Sequence, residues 1–290
     1  MNSGANFSGI NEAKADMGSI YDRPDPRAYF NTLETLDYSI PSNAKPLFQK
    51  LISQLRRQRS HDEICVLDLG CSYGVNAALL KHDVSMDDLY EHWTQVEMKN
   101  ATSDEVIQND QQYFEELGDP ENLKVIGVDQ AENAVAFAEE IGLVDEGLPL
   151  NLEQESLPPE ARQNLEPVDL MISTGCVGYV TEKSFEQLMP MVTEYQPAWI
   201  ANFVLRMFPY NRIENTLRRW GYETEKLTDH FFRQRRFASA EEQNQVMEQL
   251  ESQDVDPTGL EADGHFVAEF YLSRPAAEVR ELPLQRLLAV

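Results

Sequence analysis

A short glycine-containing segment has the residue types and spacing of a ligand-binding turn. It reads Asp68-Leu-Gly-Cys-Ser-Tyr-Gly74 and lies between an apolar run, 64–69, and a helical pattern, 75–81. Glycines at such a turn let the backbone approach a ligand closely and leave helix N–H groups directed at it. A dinucleotide fingerprint would need glycine at positions 70, 72 and 75, and this chain has only the first of them. A pyrophosphate site is therefore disfavoured.

Two more segments place polar residues at the ends of predicted strands. Val125-Ile-Gly-Val-Asp129 ends in an acid, and the strand pattern 168–173 is followed by Thr174-Gly-Cys-Val-Gly-Tyr179. Ligands of open α/β sheets bind beyond the carboxyl ends of the strands. We therefore expect Gly70, Asp129 and Gly175 to converge at one site.

Taken in order, the three segments resemble class I S-adenosylmethionine-dependent methyltransferases. The family's motif I is a strand that ends in an acid followed by x-Gly-x-x-x-Gly, as in 68–74. Its next strand ends in the acid that binds both ribose hydroxyls, which corresponds to Asp129. The third segment is similar to the family's fourth strand and the loop that faces the methyl group. The resemblance covers about residues 60–275 and implies S-adenosylmethionine (SAM) as the cofactor.

The resemblance also implies which residues contact the cofactor. Asp68 is expected near the amino acid end, Asp129 at the ribose and Gln130 beside adenine. The segment 151–156 is also expected to approach adenine; no Asp stands at the usual place, so Glu153, Gln154 or Glu155 could make that contact, and we assign it to Glu155. The expected cofactor-binding residues are Asp68, Gly70, Ser72, Gly74, Asp129, Gln130, Glu155 and Gly175.

Methyl transfer is an in-line displacement at carbon, so positioning within a dry pocket can supply most of the catalysis without a dedicated base. Tyr179 offers an aromatic face to a cation or a hydroxyl to the acceptor. Tyr21 belongs to an N-terminal segment that in this family often folds across the cofactor. We expect both tyrosines to be catalytic and Tyr179 to contact substrate. Arg206 is a candidate for binding a substrate carboxylate, with a salt bridge to the acidic surface as the alternative.

Strand and helix patterns alternate along most of the chain. This alternation predicts an α/β fold with a doubly wound, seven-stranded, mostly parallel sheet, the Rossmann-like methyltransferase fold. The predicted buried strands are 64–69, 124–128, 148–152, 168–173 and 198–205. The last strand, 265–272, could run antiparallel. A helical extension, 21–59, precedes the sheet.

Residues 83–122 interrupt the alternation. Ser85-Met-Asp-Asp88 and Thr102-Ser-Asp-Glu105 are both capping boxes that open amphipathic patterns. The sequence therefore predicts an inserted helical pair after the first βα unit. It forms either a wall or lid of the site or a packing elaboration on the outer face.

The expected organisation has three parts. Residues 1–59 form an N-terminal tail and helical cap, 60–275 a SAM-binding domain that includes the insertion, and 276–290 a C-terminal tail. The apolar end of the chain, 282–290, is expected to dock on the body or on a second subunit. A homodimer is one of the expected arrangements.

Composition excludes several classes of protein. The 24 Lys and Arg against 50 Asp and Glu give a net charge of −26, which disfavours a nucleic-acid partner. The basic and aromatic run 231–237 is therefore interpreted as a strand with an exposed cationic face. No run of 18 apolar residues and no signal peptide is present, so no membrane partner is expected. Three scattered cysteines predict neither disulfides nor a metal site and fit a reducing cytoplasm.

The sequence predicts an enzyme that transfers the methyl group of SAM to a small-molecule acceptor. Two alternatives remain open. One is an enzyme of the same fold that transfers or cyclises the aminobutyryl arm and releases methylthioadenosine, since the same residues would hold the cofactor. The other is a non-catalytic SAM binder.

Overall fold

One mixed sheet, flanked by helices, organises the computed structural model. The structure describes residues 18–96, 98–159, 161, 165, 168–194 and 196–288. Residues 1–17 of the predicted N-terminal tail lie outside that part of the chain. The strands are β1 (Ile64–Leu69), β2 (Leu123–Asp129), β3 (Glu146–Pro149), β4 (Leu170–Thr174), β5 (Trp199–Leu205), β6 (Tyr222–Lys226), β7 (Phe232–Arg236) and β8 (His265–Pro275).

The helices fall before, between and after the strands. They are α1 (Gly18–Tyr21), α2 (Arg27–Glu34), α3 (Ile40–Arg59), α4 (Val75–Lys81), α5 (Met86–Thr94), α6 (Ser103–Leu117), α7 (Glu132–Glu140), α8 (Glu182–Val192), α9 (Asn211–Arg219), α10 (Ala240–Ser252), α11 (Ala276–Glu281) and α12 (Leu284–Leu288). Short 3₁₀ turns occupy Met98–Asn100 and Glu261–Asp263.

The strand order confirms the predicted doubly wound, mostly parallel sheet. It runs β3-β2-β1-β4-β5-β8-β6, with β3 to β5 parallel and β8 antiparallel to β5. Two strands, β6 and β7, share the seventh position of the sheet, because they pair with successive parts of β8. All residues of β1 and β5 are buried, as expected of strands covered on both faces. The chain order reverses between β1 and β4, which is where doubly wound sheets bind ligands.

Two predicted boundaries were wrong. The strand predicted at 148–152 lies at Glu146–Pro149, because Pro149 has no N–H to extend the ladder and the chain turns after it. The helical region that was predicted to follow the proline-rich turn 23–26 and to extend to residue 59 begins at Arg27 but is two helices, α2 and α3. Pro26 precedes α2, and Asp37, with φ of +52°, lies in the turn before α3.

The inserted helical pair is present and begins where the capping boxes predict. Ser85 and Asp88 cap α5 reciprocally, and Thr102 and Glu105 do the same for α6. Helix α5 packs on α2, where the Trp93 and Phe30 rings stack with centroids 4.2 Å apart. The insertion therefore supports the N-terminal helices.

The C-terminal segment docks on the body of the protein. Leu284 and Leu288 are buried, and Lys50 of α3 donates a hydrogen bond to the Leu288 carbonyl at 2.8 Å. Of the two docking sites expected for this segment, the structure shows the one within the same chain.

Candidate active site

A cavity of about 690 Å³ opens at the carboxyl ends of the parallel strands. Its size is typical of small-molecule sites. The wall is formed by the loops after β1, β2, β3 and β4, by the start of the N-terminal helical region and by β7. No described residue of the insertion lines it, so the outer packing role expected as one alternative for 83–122 agrees with the structure.

Six predicted site residues line the cavity: Tyr21, Gly70, Ser72, Asp129, Gln130 and Gly175, together with Tyr179 at the rim.

The loop after β1 brings backbone close to the cavity. Gly70 has φ of +80°, and a Cβ there would lie 2.7 Å from the Cβ of Cys176, so only glycine fits. Ser72 also lies in the left-handed region, with φ of +48°. Its hydroxyl is buried and finds no hydrogen-bond partner among the described residues. A buried orphan hydroxyl facing a cavity is a group that a ligand can satisfy.

Asp129 links the ends of β1 and β2. Its Oδ2 accepts a hydrogen bond from the Ser72 N–H at 2.9 Å, and its Oδ1 accepts one from the Ala131 N–H at 3.0 Å. Burial, which disfavours the charged form, raises the pKa of Asp129, although these backbone N–H groups partly oppose the shift. Each carboxylate oxygen has a further lone pair, so the group can still accept hydrogen bonds from a diol.

Asp68 lies behind the cavity wall. Its carboxyl is fully buried and accepts hydrogen bonds from the Asn76 amide at 3.0 and 3.2 Å. Burial raises the pKa of Asp68 to about 7, while the Asn76 hydrogen bonds lower it. The same amide donates to Thr174 Oγ1 at 3.1 Å. Asp68 and Asn76 therefore connect β1, the start of α4 and the end of β4, and Asp68, predicted as a cofactor contact, does not line the cavity.

The turn after β3 forms the part of the cavity wall that contacts Gln130. Asn151 donates from its side-chain amide to Gln130 Oε1 at 2.9 Å, and both line the cavity. Glu155 is exposed and is not a lining residue. Glu153 does line it, but its carboxylate accepts hydrogen bonds from Thr181 and Ser184 at the start of α8. Within this segment, Asn151 is thus the lining residue whose side chain contacts Gln130.

The N-terminal segment crosses the cavity because Tyr73 anchors it. The Tyr73 hydroxyl accepts a hydrogen bond from the Arg23 N–H at 2.7 Å and lies 3.2 Å from the Ile20 carbonyl. This contact places Tyr21 on the cavity, with its ring against Tyr29 at a centroid distance of 5.4 Å. Tyr73 lies inside the predicted motif, and its anchoring role was not predicted.

Tyr179 stands at the rim, with 47% of its surface exposed. Desolvation of its hydroxyl, and then the neighbouring Tyr21, raise the pKa of Tyr179 to about 12. The phenol is therefore protonated at neutral pH, so it can donate a hydrogen bond or offer its ring but cannot serve as a base.

Strand β7 contributes two side chains that the sequence interpretation missed. The register with β8 shifts between Arg233 and Arg235, so Gln234 is the extra residue of a β-bulge. In consequence Gln234 and Arg235 are both buried and both line the cavity. Bulges beside sites commonly redirect side chains in this way. The expectation of an exposed cationic strand is therefore wrong at Arg235, although Arg233 and Arg236 are exposed.

Gly175 makes room for Gln234. It has φ of +75°, and a Cβ at this position would lie 2.8 Å from Gln234 Oε1 and 2.9 Å from Nε2. The glycine predicted as a cofactor contact thus also admits an amide side chain from another strand. No pattern local to residues 174–179 could have indicated this.

Besides Asp68 and Glu155, two more predicted residues lie outside the cavity lining. Arg206 is absent from the lining; it donates to Glu261 at 2.5 Å and to the Asp256 carbonyl at 2.9 Å. The structure therefore shows a salt bridge, the expected alternative, but with a buried glutamate and not with the acidic surface. Gly74 is also absent from the lining. It has φ of +77°, and a Cβ at this position would lie 3.1 Å from the Cβ atoms of Ala138 and Leu143. The glycine therefore lets the start of α4 pack closely against these two residues.

The described part of the chain holds no group of three or more His, Cys, Asp or Glu side chains arranged to bind a metal ion. Among the helices that can be described, none has the length and apolar character required to cross a membrane.

The sequence matches no family model and no curated protein. The structure is similar to solved methyltransferases. The plantazolicin methyltransferase BpumL, solved with S-adenosylhomocysteine (SAH), has 11% identity and a TM-score of 0.44, covering 92% of this chain and 97% of that one. A TehB-like SAM-dependent methyltransferase from Corynebacterium glutamicum has 14% identity and a TM-score of 0.37, with coverage of 76% and 85%. Magnesium protoporphyrin IX methyltransferase from Synechocystis, solved with SAM, has 10% identity and a TM-score of 0.40, with coverage of 94% and 99%. Similarities at such low sequence identity and TM-score concern the fold alone and carry no inference about the substrate of this chain.

Proposed function

We propose that this protein is a SAM-dependent methyltransferase that acts on a small-molecule acceptor. The observation that carries the proposal is the convergence of Gly70, Ser72 and Asp129 on one cavity at the reversal of strand order. These are three of the eight residues that the motif resemblance assigns to the cofactor, and Asp129 lies next to Ser72 although 57 positions separate them in the sequence.

The described residues fit the parts of this cofactor. Asp129 has lone pairs left for ribose hydroxyls, and the Gln130 and Asn151 amides stand next to it. Ser72 offers an unsatisfied buried hydroxyl. Gly70 leaves space that any side chain would fill. The site lacks a complete glycine cradle, which agrees with a cofactor that has no phosphate.

When bound, SAM supplies an electrophilic methyl group on a sulfonium cation. The chain's own contribution is to position the acceptor and to exclude water, since in-line displacement depends mainly on alignment. Tyr21, held by the Tyr73 anchor, covers the cavity from the N-terminal side, and Tyr179 stands at its rim. Their neutral hydroxyls and ring faces can orient an acceptor or contact a cation without taking up a proton.

Two measurements test the proposal. Calorimetric titration with SAH determines whether the cavity binds the cofactor product. Incubation with SAM and candidate metabolites, followed by mass spectrometry of the nucleoside product, identifies the reaction. We expect SAH as the product. Methylthioadenosine would instead indicate transfer of the aminobutyryl arm, and SAH binding without turnover of any acceptor would indicate a binder. Failure of SAH and SAM to bind at all would contradict the proposal.

A further inference from the structure

The cavity lining also includes residues that are not assigned to the cofactor. Four of them, Tyr29, Tyr38, Leu205 and Phe266, are aromatic or aliphatic. Tyr38 adjoins β7 directly, because the next residue, Ser39, donates its backbone N–H to the Gln234 carbonyl at 2.8 Å. An aromatic-lined compartment beside a cofactor site is suited to a flat, largely apolar molecule.

One polar atom in this compartment lacks a partner. The Gln234 side chain is 9% exposed, and no described residue donates a hydrogen bond to its Oε1. The amide is held in place by two features already described, the bulge in β7 and the absence of a side chain at Gly175. Leaving a buried acceptor unsatisfied costs free energy, so a bound group that donates a hydrogen bond would recover that cost.

The charges around the compartment do not favour an anion. Arg235 forms a two-point ion pair with Glu242, at 2.9 and 2.6 Å, and both residues are buried. The pair is therefore electrically neutral towards the cavity. The other charged side chains that line the cavity are the acids Asp22, Asp129 and Glu153. A carboxylate entering this space would meet no free cation among the described lining residues and would be repelled by the acids.

We propose, on the basis of the methyltransferase function proposed above, that the acceptor is an uncharged aromatic compound whose N–H or O–H group donates a hydrogen bond to Gln234 Oε1. The bulge supplies the acceptor atom, the aromatic walls supply apolar contact, and the Arg235–Glu242 pair leaves no cation for an anionic substrate. Gln234 is thus a specificity-determining residue.

Three ring-matched probes test this inference on the protein saturated with SAH. They are 4-ethylphenol, which is a neutral donor, 4-ethylanisole, which has no donor, and the anion 4-ethylbenzoate. Calorimetry or ligand-detected NMR gives their dissociation constants. We expect 4-ethylphenol to bind about 3- to 10-fold more tightly than 4-ethylanisole, as one hydrogen bond allows. We expect 4-ethylbenzoate to bind about tenfold more weakly than 4-ethylphenol.

Gln234→Met, which keeps the length of the side chain and removes the acceptor atom, should reduce the ratio of phenol to anisole affinity to about one. The control Gln108→Met alters an exposed glutamine on α6 and should keep the wild-type ratio. Each of the three proteins is saturated with SAH before the probes are added, so that a change in SAH affinity does not enter the comparison. Equal binding of phenol and anisole to the wild-type protein, binding of benzoate as tight as that of phenol, or an unchanged ratio in Gln234→Met would overturn the inference. The probes are measured on the SAH complex. Failure of the wild-type protein to bind SAH would therefore contradict the proposed function and not this inference.

Discussion

The Oδ2 atom of Asp129, at the end of β2, accepts a hydrogen bond from the Ser72 N–H, in the loop after β1, at 2.9 Å. One carboxylate therefore holds two neighbouring strand ends together at the mouth of the cavity. A residue in this position affects both the shape of the site and its affinity for a diol.

Asp129→Ala should weaken SAH binding by about 2–4 kcal/mol, because under the proposed function it removes charge-assisted hydrogen bonds to both ribose hydroxyls. It should also lower the free energy of unfolding of the unliganded protein by about 1–3 kcal/mol, because the Ser72 and Ala131 N–H groups lose their acceptor. Calorimetry and urea denaturation measure the two effects. Wild-type affinity in a folded variant would rule out the assignment of Asp129.

Glu155→Ala is the matched control and a test of its own. Glu155 was assigned to adenine on sequence grounds, but its side chain is exposed and outside the cavity lining. We therefore expect SAH affinity within about twofold of the wild-type value, since exposed substitutions away from a site have small effects. Asn151→Ala should have the larger effect, because Asn151 holds Gln130 in the cavity wall. The reverse ranking would restore Glu155 as the adenine contact.

Asp68→Asn should change how stability depends on pH. The Asp68 carboxyl has its ordinary pKa of 3.8 in the unfolded chain, and burial raises the pKa to about 7 in the folded protein, so the folded state holds the extra proton between these values. Its stabilising contribution is present below about pH 4 and is lost as the pH rises through about 7. The variant should therefore gain stability relative to the wild-type protein across that window, by on the order of 1–4 kcal/mol. Urea denaturation of both proteins at pH 4, 5.5 and 7 measures this difference; a constant difference would contradict the raised pKa.

Gly175→Ala should destabilise the protein more than Gly142→Ala. Both glycines have φ near +75°, at +75° and +78°, so both substitutions incur a backbone cost of about 1 kcal/mol. Only at 175 does the new Cβ also approach the Gln234 amide, at 2.8 Å; at 142 no other atom lies within 4 Å. We expect an additional loss of about 1–3 kcal/mol for Gly175→Ala. Chemical denaturation of the two variants gives the comparison, and equal losses would show that Gln234 does not occupy that space.

Trp93→Ala should disrupt the support of the N-terminal helices by the insertion. Trp93 is 1% exposed, stacks on Phe30 and donates from its indole N–H to Asp110 Oδ2 at 2.8 Å. Truncation should cost about 3–5 kcal/mol of stability. The control Trp220→Ala, at a half-exposed tryptophan, should cost far less. Hydrogen exchange should show reduced protection in α2 for Trp93→Ala only; unchanged protection there would mean that the insertion does not support the site.

The sequence by itself determined the features that depend on near neighbours along the chain. The apolar run of β1 and the glycine turn after it need only a buried strand followed by a helix. The capping boxes at Ser85 and Thr102 close within four residues, and the structure forms both as predicted. The parallel direction of the buried strands also followed, because helical patterns that can cross over the sheet alternate with them along the chain.

The tertiary structure decided which side chains reach the cavity, because that depends on pairing between distant segments. The bulge at Gln234 exists only through the register of β7 against β8, and it alone turns two consecutive side chains inward. Arg206 directly follows β5, a strand that was predicted, yet Glu261, 55 positions away, holds its guanidinium. A local pattern cannot encode such partners, since each one is chosen by burial and charge in the folded protein.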